Sequence, residues 1–190
     1  MQLCTLPADG TPLAGSPVFA KEVPADDIDA AFAIESASYP ADEAATHEGL
    51  AFRQKAAGSF FQGAYAKDQL VGFIVSTLSP GDTLEEETMS SHDPSGRTLC
   101  IHSVVVDPSH RRKGIAISML KRYVKSIAET GPGDGDAGAV DRILLIAKGN
   151  LLHFYVACGF SLVGLSPVVH GADPWFEMKI DMRNFRKALL

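Results

Sequence analysis

The sequence predicts a mixed α/β fold, in which one central sheet of parallel and antiparallel strands is flanked by helices. The clearest observation is residues 98–147, where an apolar strand, an amphipathic helix and a second apolar strand follow one another. Such a unit joins two parallel strands by a right-handed crossover. Hairpins are predicted before and after it, and these add antiparallel neighbours to the same sheet.

The elements before this unit are predicted from their apolar spacing and their end signals. Asp26 is expected to cap the first helix. The proline at position 40 is expected to end it at Tyr39, because proline disfavours helical backbone in the residue before it. In chain order the predicted elements are a strand at 18–23, a helix at 26–39, a second helix at 42–57, and a hairpin of strands 60–66 and 70–78.

The later elements follow a polar loop at 80–97. The helix that begins at Gly114 carries Ile117, Leu120 and Val124 at a spacing that places them on one face, toward a core. It is predicted to end near residue 130, before a linker rich in glycine and aspartate. The remaining predicted elements are a strand at 142–147, a short helix at 150–158, and a closing hairpin of strands 160–169 and 175–182.

Length, charge and cysteine usage limit the classes of protein to which the chain can belong. At 190 residues it suits one compact domain, predicted over 18–190 after a flexible arm at 1–17. A net charge of −6 argues against a general nucleic-acid-binding protein, which would present a basic face. Three scattered cysteines suit a reducing compartment, and no secretory signal or membrane-spanning run is visible. We therefore expect a cytoplasmic protein without a metal, nucleic-acid or membrane partner.

A basic loop that contains glycine joins the strand at 98–106 to the following helix. Residues 111–113 are all basic, in an otherwise acidic chain. Backbone N–H groups at the start of a helix have no helical partner and lie at the positive end of the helix dipole, so this loop is predicted to bind a phosphate. It is not a nucleotide P-loop, because the lysine precedes Gly114, and Ile115 stands where a serine or threonine is needed. It also lacks the glycine pattern of a dinucleotide-binding loop.

The pattern Arg111-x-x-Gly114-x-Ala116, directly after a valine-rich strand and an Asp-Pro turn, resembles the acyl-CoA diphosphate loop of the GNAT superfamily of N-acetyltransferases. The segment 150–160 is similar to a second signature of that superfamily, a helix and strand with Phe-Tyr and Gly-Phe. The resemblance implies the GNAT fold, in which the strand before the loop splays from its neighbour and leaves backbone groups to bind pantetheine. The residues expected to bind acetyl-CoA are Val104, Val105, Val106, Arg111, Arg112, Lys113, Gly114, Ile115, Ala116 and Ile117.

His102 and Tyr155 are the candidate catalytic residues. Only the neutral form of an amine can attack a thioester, and a histidine with a pKa near 6.5 can accept the proton at physiological pH. The departing thiolate then needs a proton, which a tyrosine hydroxyl can supply in a site that excludes water. A backbone N–H near Val104 is expected to hold the oxyanion.

Alternation along the strand at 98–106 gives a further expectation about its two faces. Successive side chains of a strand point to opposite sides of the sheet. One face is therefore predicted to carry Cys100, His102, Val104 and Val106, and the other Leu99, Ile101, Ser103 and Val105.

Within the superfamily, the chain is most similar to the arylalkylamine N-acetyltransferases, the branch that acetylates serotonin. In that family two histidines on this strand form a proton path and a tyrosine serves as the acid. The similarity implies these roles for His102 and Tyr155, whereas Cys100 stands in place of the other histidine. The matching segments are 99–123, 151–160, 168–171 and 176–178.

The predicted function is transfer of the acetyl group from acetyl-CoA to a primary amine, by direct attack in a ternary complex. The favoured amine is an arylalkylamine such as serotonin, tryptamine or phenylethylamine. A polyamine, or an amine of a protein or peptide, is the alternative, since the acidic loop at 80–97 would attract polycations. A third hypothesis is a domain that binds CoA without catalysing a reaction. The sequence does not fix the oligomeric state.

Overall fold

The computed structural model describes residues 18–130, 140–168, 171 and 173–188. The strands within this part of the chain form one seven-stranded sheet. They are β1 (Val18–Glu22), β2 (Phe61–Ala66), β3 (Gln69–Ser79), β4 (Thr98–Val106), β5 (Arg142–Lys148), β6 (Ser161–Leu165) and β7 (Trp175–Asp181). The predicted arm at 1–17 and most of the linker after residue 130 lie outside the described residues, as do Val169 and His170. The division into an arm and a domain therefore stays a prediction.

The order of the strands across the sheet is β1-β2-β3-β4-β5-β7-β6. β4 and β5 are parallel, and every other neighbouring pair is antiparallel. Lys67 and Asp68 have positive φ angles of 49° and 64°, and they form the tight turn between β2 and β3. The mixed sheet, the parallel crossover and both predicted hairpins are confirmed.

Helices cover both faces of this sheet, so the strands lie between two cores. The helices are α1 (Ile28–Ser36), α2 (His47–Ala57), α3 (Ile115–Glu129), α4 (Leu152–Val156) and α5 (Met182–Ala188). α3 buries Leu120 and Val124 in the core on one face. α1 and α2 bury Ile34 and Leu50 in the core on the other face.

The first two helices begin later than predicted. Asp26 does not cap α1, because a 3-10 turn over Ala25–Asp27 precedes the helix and no side chain caps it. The side chain of Asp27 instead accepts a hydrogen bond from the Tyr65 hydroxyl at 2.8 Å. α2 begins at His47, where the Thr46 side chain accepts from the backbone of Gly49, so residues 42–46 belong to the connection between the helices.

The helix α5 was not predicted from the sequence. Its Arg186 donates to the backbone carbonyls of Ala128 and Val140, at 3.1 and 3.0 Å. These contacts join residues that lie far apart in the chain. A seven-residue helix that depends on such tertiary contacts leaves little local signal.

β4 departs from both of its neighbours near His102. Its pairing with β5 consists of three residue pairs that end at Cys100, opposite Leu144, so the two strands separate beyond this point. The splay implied by the GNAT resemblance is therefore present. Against β3, the register passes from Val75 opposite Ser103 to Ser76 opposite Ile101, which makes His102 the extra residue of a β-bulge.

This bulge contradicts the predicted alternation along β4. Before the bulge, Leu99 and Ile101 belong to one hydrophobic core. After it, Val104 and Val106 pack in or against that same core, although uninterrupted alternation would place them on the opposite face. The prediction of two alternating faces is wrong because one inserted residue moves every later side chain to the other side.

Among the helices of the described residues, none has the length and apolar character needed to cross a membrane.

Candidate active site

The connection from β4 to α3 presents backbone N–H groups at the start of the helix; we call residues 107–117 the anion loop. Its first turn is organised by Asp107, whose carboxylate accepts from the backbone N–H of Ser109 at 2.9 Å. Gly114, with φ of 78°, adopts the left-handed conformation that suits glycine. The bond from Ser118 N–H to Gly114 O is the first of the helix, so the N–H groups of 115–117 precede it, and no side chain of the described residues caps them. Such a helix start favours an anion.

The three basic side chains of the anion loop have different environments. Arg111 donates to the backbone oxygen of Val106 at 2.9 Å and to the Ser38 hydroxyl at 2.9 Å, so it ties the loop to the residues that follow α1. Lys113 donates to the carbonyl of Ser109 at 3.1 Å. Arg112 is exposed and has a positive φ of 64°. We infer that Arg111 positions the loop and that Arg112 is the side chain most available to an anion.

An open groove runs from the anion loop along the free edge of β4. It is lined by residues of β4, the anion loop, α4 and the segment that follows α1. They include Val104, Val105, Val106, Arg111, Ala116, Tyr39, Phe154 and Tyr155. Five residues expected to bind acetyl-CoA therefore line the same surface as the candidate acid Tyr155.

An inner cavity lies beside this groove, where β4 and β5 separate. Its lining includes His102, Glu35, Glu43, Ile146 and Trp175. Three further residues line both the cavity and the groove, and we call them the shared wall: Tyr39, Val104 and Tyr155. The structure thus places both candidate catalytic residues on one cavity, which adjoins the groove at the shared wall.

His102 is held on the cavity wall by a hydrogen bond between its Nε2 and the Thr77 hydroxyl, at 2.7 Å. The same hydroxyl donates to the backbone oxygen of Thr88 at 3.2 Å. A hydroxyl has a single hydrogen, so when Thr77 donates it to Thr88, Nε2 donates to Thr77 and the lone pair of the neutral ring is on Nδ1. Burial, together with the positive charge of Arg53, lowers the pKa of His102 well below its usual value, so the imidazole is neutral at physiological pH.

Tyr155 is buried in α4 and makes edge-on contacts with Phe154 and Phe160, with ring centroids 4.9 and 5.8 Å apart. Burial is the main cause that raises its pKa, with the nearby Tyr39 contributing. The pKa of Tyr39 is also raised by burial and by the charge of Glu35, although a hydrogen bond with the Val104 backbone opposes the rise. Both phenols therefore stay protonated.

Glu35 is a buried carboxylate at the end of α1, with 1% of its surface exposed. Its Oε1 accepts from the backbone N–H of Ala45 at 3.0 Å and from the Ser103 hydroxyl at 2.9 Å. Its Oε2 has no hydrogen-bond partner among the described residues. Burial raises the pKa of Glu35, while these two hydrogen bonds and the charge of Arg53 lower it.

An ionic cluster beside the cavity joins three segments of the chain. Lys148 donates to Glu43 at 2.7 Å and to Asp173 at 3.2 Å. The same ammonium lies 5.4 Å from the centre of the Trp175 ring. Glu43 comes from the connection between α1 and α2, so this cluster ties that connection to β5.

Cys100 is fully buried, and burial raises the pKa of its thiol to about 12. The reactive form of a cysteine is the thiolate, so this residue is poorly suited to act as a nucleophile. Cys100 does not appear in the lining of the inner cavity.

Sequence reasoning identified His102 and Tyr155 but missed Glu35, Tyr39 and Thr77. One signal was available for Glu35, because it continues the buried face of α1 formed by Ile28, Ala31 and Ile34. A carboxylate at a core position of an amphipathic helix is costly unless it has a role. Tyr39 and Thr77 follow ordinary helix-end and strand patterns, and no local feature marks them.

Comparison with known proteins shows the family to which the chain belongs. A model of the family described as "Acetyltransferase (GNAT) family" matches residues 28–160. The serotonin N-acetyltransferase of Mesocricetus auratus is 30% identical to the chain over 121 residues. This match covers 64% of the chain and 55% of that relative, so it spans about half of the relative's length.

Solved structures show the same fold at lower identity. The loading GNATL domain of CurA from Lyngbya majuscula has a TM-score of 0.73 at 14% identity, and covers 86% of this chain and 97% of that one. A phosphinothricin acetyltransferase from Sinorhizobium meliloti, in complex with AcCoA, has a TM-score of 0.62 at 15% identity and covers 87% and 88%. At these identities the likeness concerns the fold.

Proposed function

We propose, because the chain belongs to the acetyltransferase (GNAT) family, that it transfers the acetyl group of acetyl-CoA to a small primary amine. The observation that carries this proposal is the shared wall between the open groove and the inner cavity. A thioester whose pantetheine lies in the groove and an amine in the cavity would meet at these three residues. Holding two reactants in contact removes most of the entropic cost of their encounter.

The anion loop and the open groove are proposed to bind acetyl-CoA. The N–H groups of 115–117 and the Arg112 side chain would contact the diphosphate, while the free edge of Val104–Val106 would contact pantetheine. The family match and the complex of the Sinorhizobium meliloti enzyme with AcCoA support this assignment.

His102 is proposed to take the proton from the amine. An alkylamine with a pKa near 10.4 is almost entirely protonated at neutral pH, and only its neutral form attacks. The lowered pKa keeps the imidazole neutral, and the bond from Nε2 to Thr77 leaves the lone pair on Nδ1. Nδ1 is therefore the atom that accepts the proton, directly or through a water molecule.

Tyr155 is proposed to supply the proton that the leaving group needs. The amine nitrogen bonds to the acetyl carbon, the carbon–sulfur bond breaks, and the CoA thiolate takes its proton from the Tyr155 hydroxyl. The raised pKa of Tyr155 keeps its hydroxyl protonated until the thiolate forms. The Val104 backbone N–H, which exchanges its hydrogen bond with Tyr39 for one to the carbonyl oxygen, is proposed to hold that oxygen during the attack. The second amine proton restores the Tyr155 hydroxyl and His102 releases the first to solvent, so the products are the N-acetylamine, CoA and one proton.

An arylalkylamine is the proposed acceptor. The inner cavity contains the aromatic rings of Tyr39, Tyr155 and Trp175, together with Leu145 and Ile146, which suits an aromatic group. The 30% identity to a serotonin N-acetyltransferase supports the same class. A cytoplasmic location, suggested by the cysteine content, stays a prediction.

Steady-state kinetics with acetyl-CoA and tryptamine, phenylethylamine, spermidine and a basic peptide test this function. We expect the highest kcat/KM with an arylalkylamine, and intersecting double-reciprocal lines because transfer is direct. If spermidine or the peptide is acetylated and neither arylalkylamine is, the acceptor is a polyamine or a peptide amine and the proposed substrate class is wrong. Acetyl-CoA binding by calorimetry without turnover of any acceptor would leave a CoA-binding domain and contradict the enzyme.

A further inference from the structure

The inner cavity contains two buried carboxylates that the proposed chemistry does not use. Among the described residues, two carboxylate oxygens are buried without a hydrogen-bond partner, Oε2 of Glu35 and Oε2 of Glu43. Both residues line this one cavity. The side chain of Glu43 is 5% exposed, and Glu35 is 1% exposed. The charge of Arg53 acts on Glu35, but no hydrogen bond satisfies the Oε2 atom of either carboxylate. Since buried acceptors are normally satisfied, two that remain unsatisfied around one cavity indicate a ligand that donates hydrogen bonds.

The remaining oxygen of each carboxylate has a structural role. Oε1 of Glu35 joins α1 to Ala45 and to Ser103 on β4. Oε1 of Glu43 joins the connection after α1 to Lys148 on β5. These contacts fix both carboxylates in place, so that their second oxygens are preorganised before a ligand arrives.

Ser103 follows His102 directly in β4, and Glu35 contacts Ser103. Glu35 and the imidazole both line the cavity, and the charge of Arg53 acts on both, whereas Glu43 is paired with Lys148, which also contacts Asp173. A protonated amine has two or three N–H donors and a positive charge. It satisfies an unpartnered carboxylate oxygen better than a neutral group does.

We propose that Glu35, assisted by Glu43, binds the acceptor as its ammonium cation, so that the enzyme selects protonated primary alkylamines over neutral molecules of the same shape. This inference rests on the proposed function. An ammonium N–H donates to Oε2 of Glu35 while another N–H faces His102, which removes the proton when the thioester is in place. Glu35 is thus a residue of substrate binding and orientation, and His102 remains the base.

The substitution Glu35→Gln separates this role from the structural one. The amide oxygen of glutamine can keep the two hydrogen bonds of Oε1, whereas its NH₂ replaces the acceptor at Oε2 with a donor. Ser103→Ala is the matched control, because it removes a hydrogen bond of Oε1 and leaves Oε2 unchanged. Thermal melting of both variants, compared with the wild type, reports whether the fold is retained.

The probes are tryptamine and tryptophol, which have the same indole and ethyl chain but end in an ammonium and a neutral hydroxyl. Calorimetric titration of the CoA-bound protein at pH 7.5 measures their affinities without turnover. We expect the wild type and Ser103→Ala to bind tryptamine at least about tenfold more tightly than tryptophol. We expect Glu35→Gln to lose that preference, which is a change of about 1.4 kcal/mol.

Each outcome of the titration decides the inference. Equal affinity of the wild-type protein for the two probes, or binding of neither, overturns it, as does an unchanged preference in Glu35→Gln. These results can occur while the wild type acetylates tryptamine, in which case the proposed function stands without the cation site. The converse also holds, because a preference for tryptamine that Glu35→Gln abolishes, without turnover of any amine, supports the cation site and contradicts the proposed transferase.

Discussion

The anion loop contributes to the open groove and not to the inner cavity, and these two regions are built in contrasting ways. The anion loop is one continuous segment whose main groups are backbone N–H donors before the first helical bond of α3. The inner cavity collects side chains from α1, the connection after it, β4, β5, α4 and β7. One site is a property of local backbone geometry, and the other of tertiary structure.

This difference predicts how each region responds to change. A site made of backbone groups retains much of its function when a side chain is replaced, because the N–H donors remain. A site made of a few buried side chains depends on each of them, since no other group occupies the same position. Substitutions in the inner cavity should therefore have larger effects than substitutions in the anion loop.

The largest effect is expected for His102→Gln. Removing the base should lower kcat by about 10³-fold, because few amine molecules are neutral near pH 7. The loss should be largest near pH 6.5 and shrink toward pH 8, because the neutral fraction of the amine rises about tenfold per pH unit while the lowered pKa of His102 keeps the wild-type imidazole unprotonated throughout this range. Stopped or continuous assays of CoA thiol release measure this loss of kcat.

Thr77→Val is the matched variant for His102. It retains the imidazole and removes the partner of Nε2, so its loss of kcat should be smaller than that of His102→Gln. A loss of tenfold or less in His102→Gln would show that the base lies elsewhere.

Tyr155→Phe should have the next largest effect. The variant keeps the aromatic contacts of the ring and loses only the hydroxyl, so we expect about a 10²-fold lower kcat with unchanged affinity for CoA. Single-turnover rates and calorimetry measure these two quantities. A matching decrease in CoA affinity would instead assign Tyr155 a role in binding.

A smaller effect is expected at the anion loop. Arg112→Ala should weaken CoA binding about tenfold, which corresponds to one charge-assisted hydrogen bond, with little change in kcat. Arg111→Ala should instead lower the melting temperature, because it loses the bonds to Val106 and Ser38. If Arg111→Ala reduced CoA affinity at unchanged stability, our distinction between the two arginines would be wrong.

The smallest effect concerns the end of β4 that remains paired with β5. Hydrogen bonds from Arg97 lower the pKa of Asp141 to about 2. A carboxylate with a pKa lower in the folded than in the unfolded state stabilises the protein above its ordinary pKa near 4, and this contribution is lost as the pH falls toward 2. Urea unfolding should show Asp141→Asn less stable than the wild type at pH 6, with a clearly smaller difference near pH 2.5. If Asp141→Asn lowered the free energy of unfolding equally at both pH values, the ion pair with Arg97 would not be the cause.

The sequence predicted those features that depend on neighbouring residues. The spacing of glycine and arginine around Arg111 and Gly114 indicated the anion loop, and strand and helix periodicity indicated the mixed sheet. His102 and Tyr155 were identified because their segments resemble a known family. Their assignment to catalysis stays a proposal.

What the sequence could not supply comes from contacts between distant residues. Thr77 on β3 contacts His102, and Glu35 on α1 contacts Ser103. No local sequence pattern connects these segments. The start of α2 was misjudged because helix-forming residues at 42–46 form turns that hold Glu43 near Lys148. The β-bulge is equally invisible, since it arises from the pairing of two strands.

That bulge has a consequence for how the strand can vary. His102 is the extra residue at the point where the pairing of β3 with β4 changes register. The position of its imidazole therefore depends on the number of residues in the strand more than on which residues flank it. Conservative exchanges along 98–106 preserve that length. The deletion of a single residue there would restore a regular ladder and leave no position from which a side chain at 102 could enter the gap between β4 and β5.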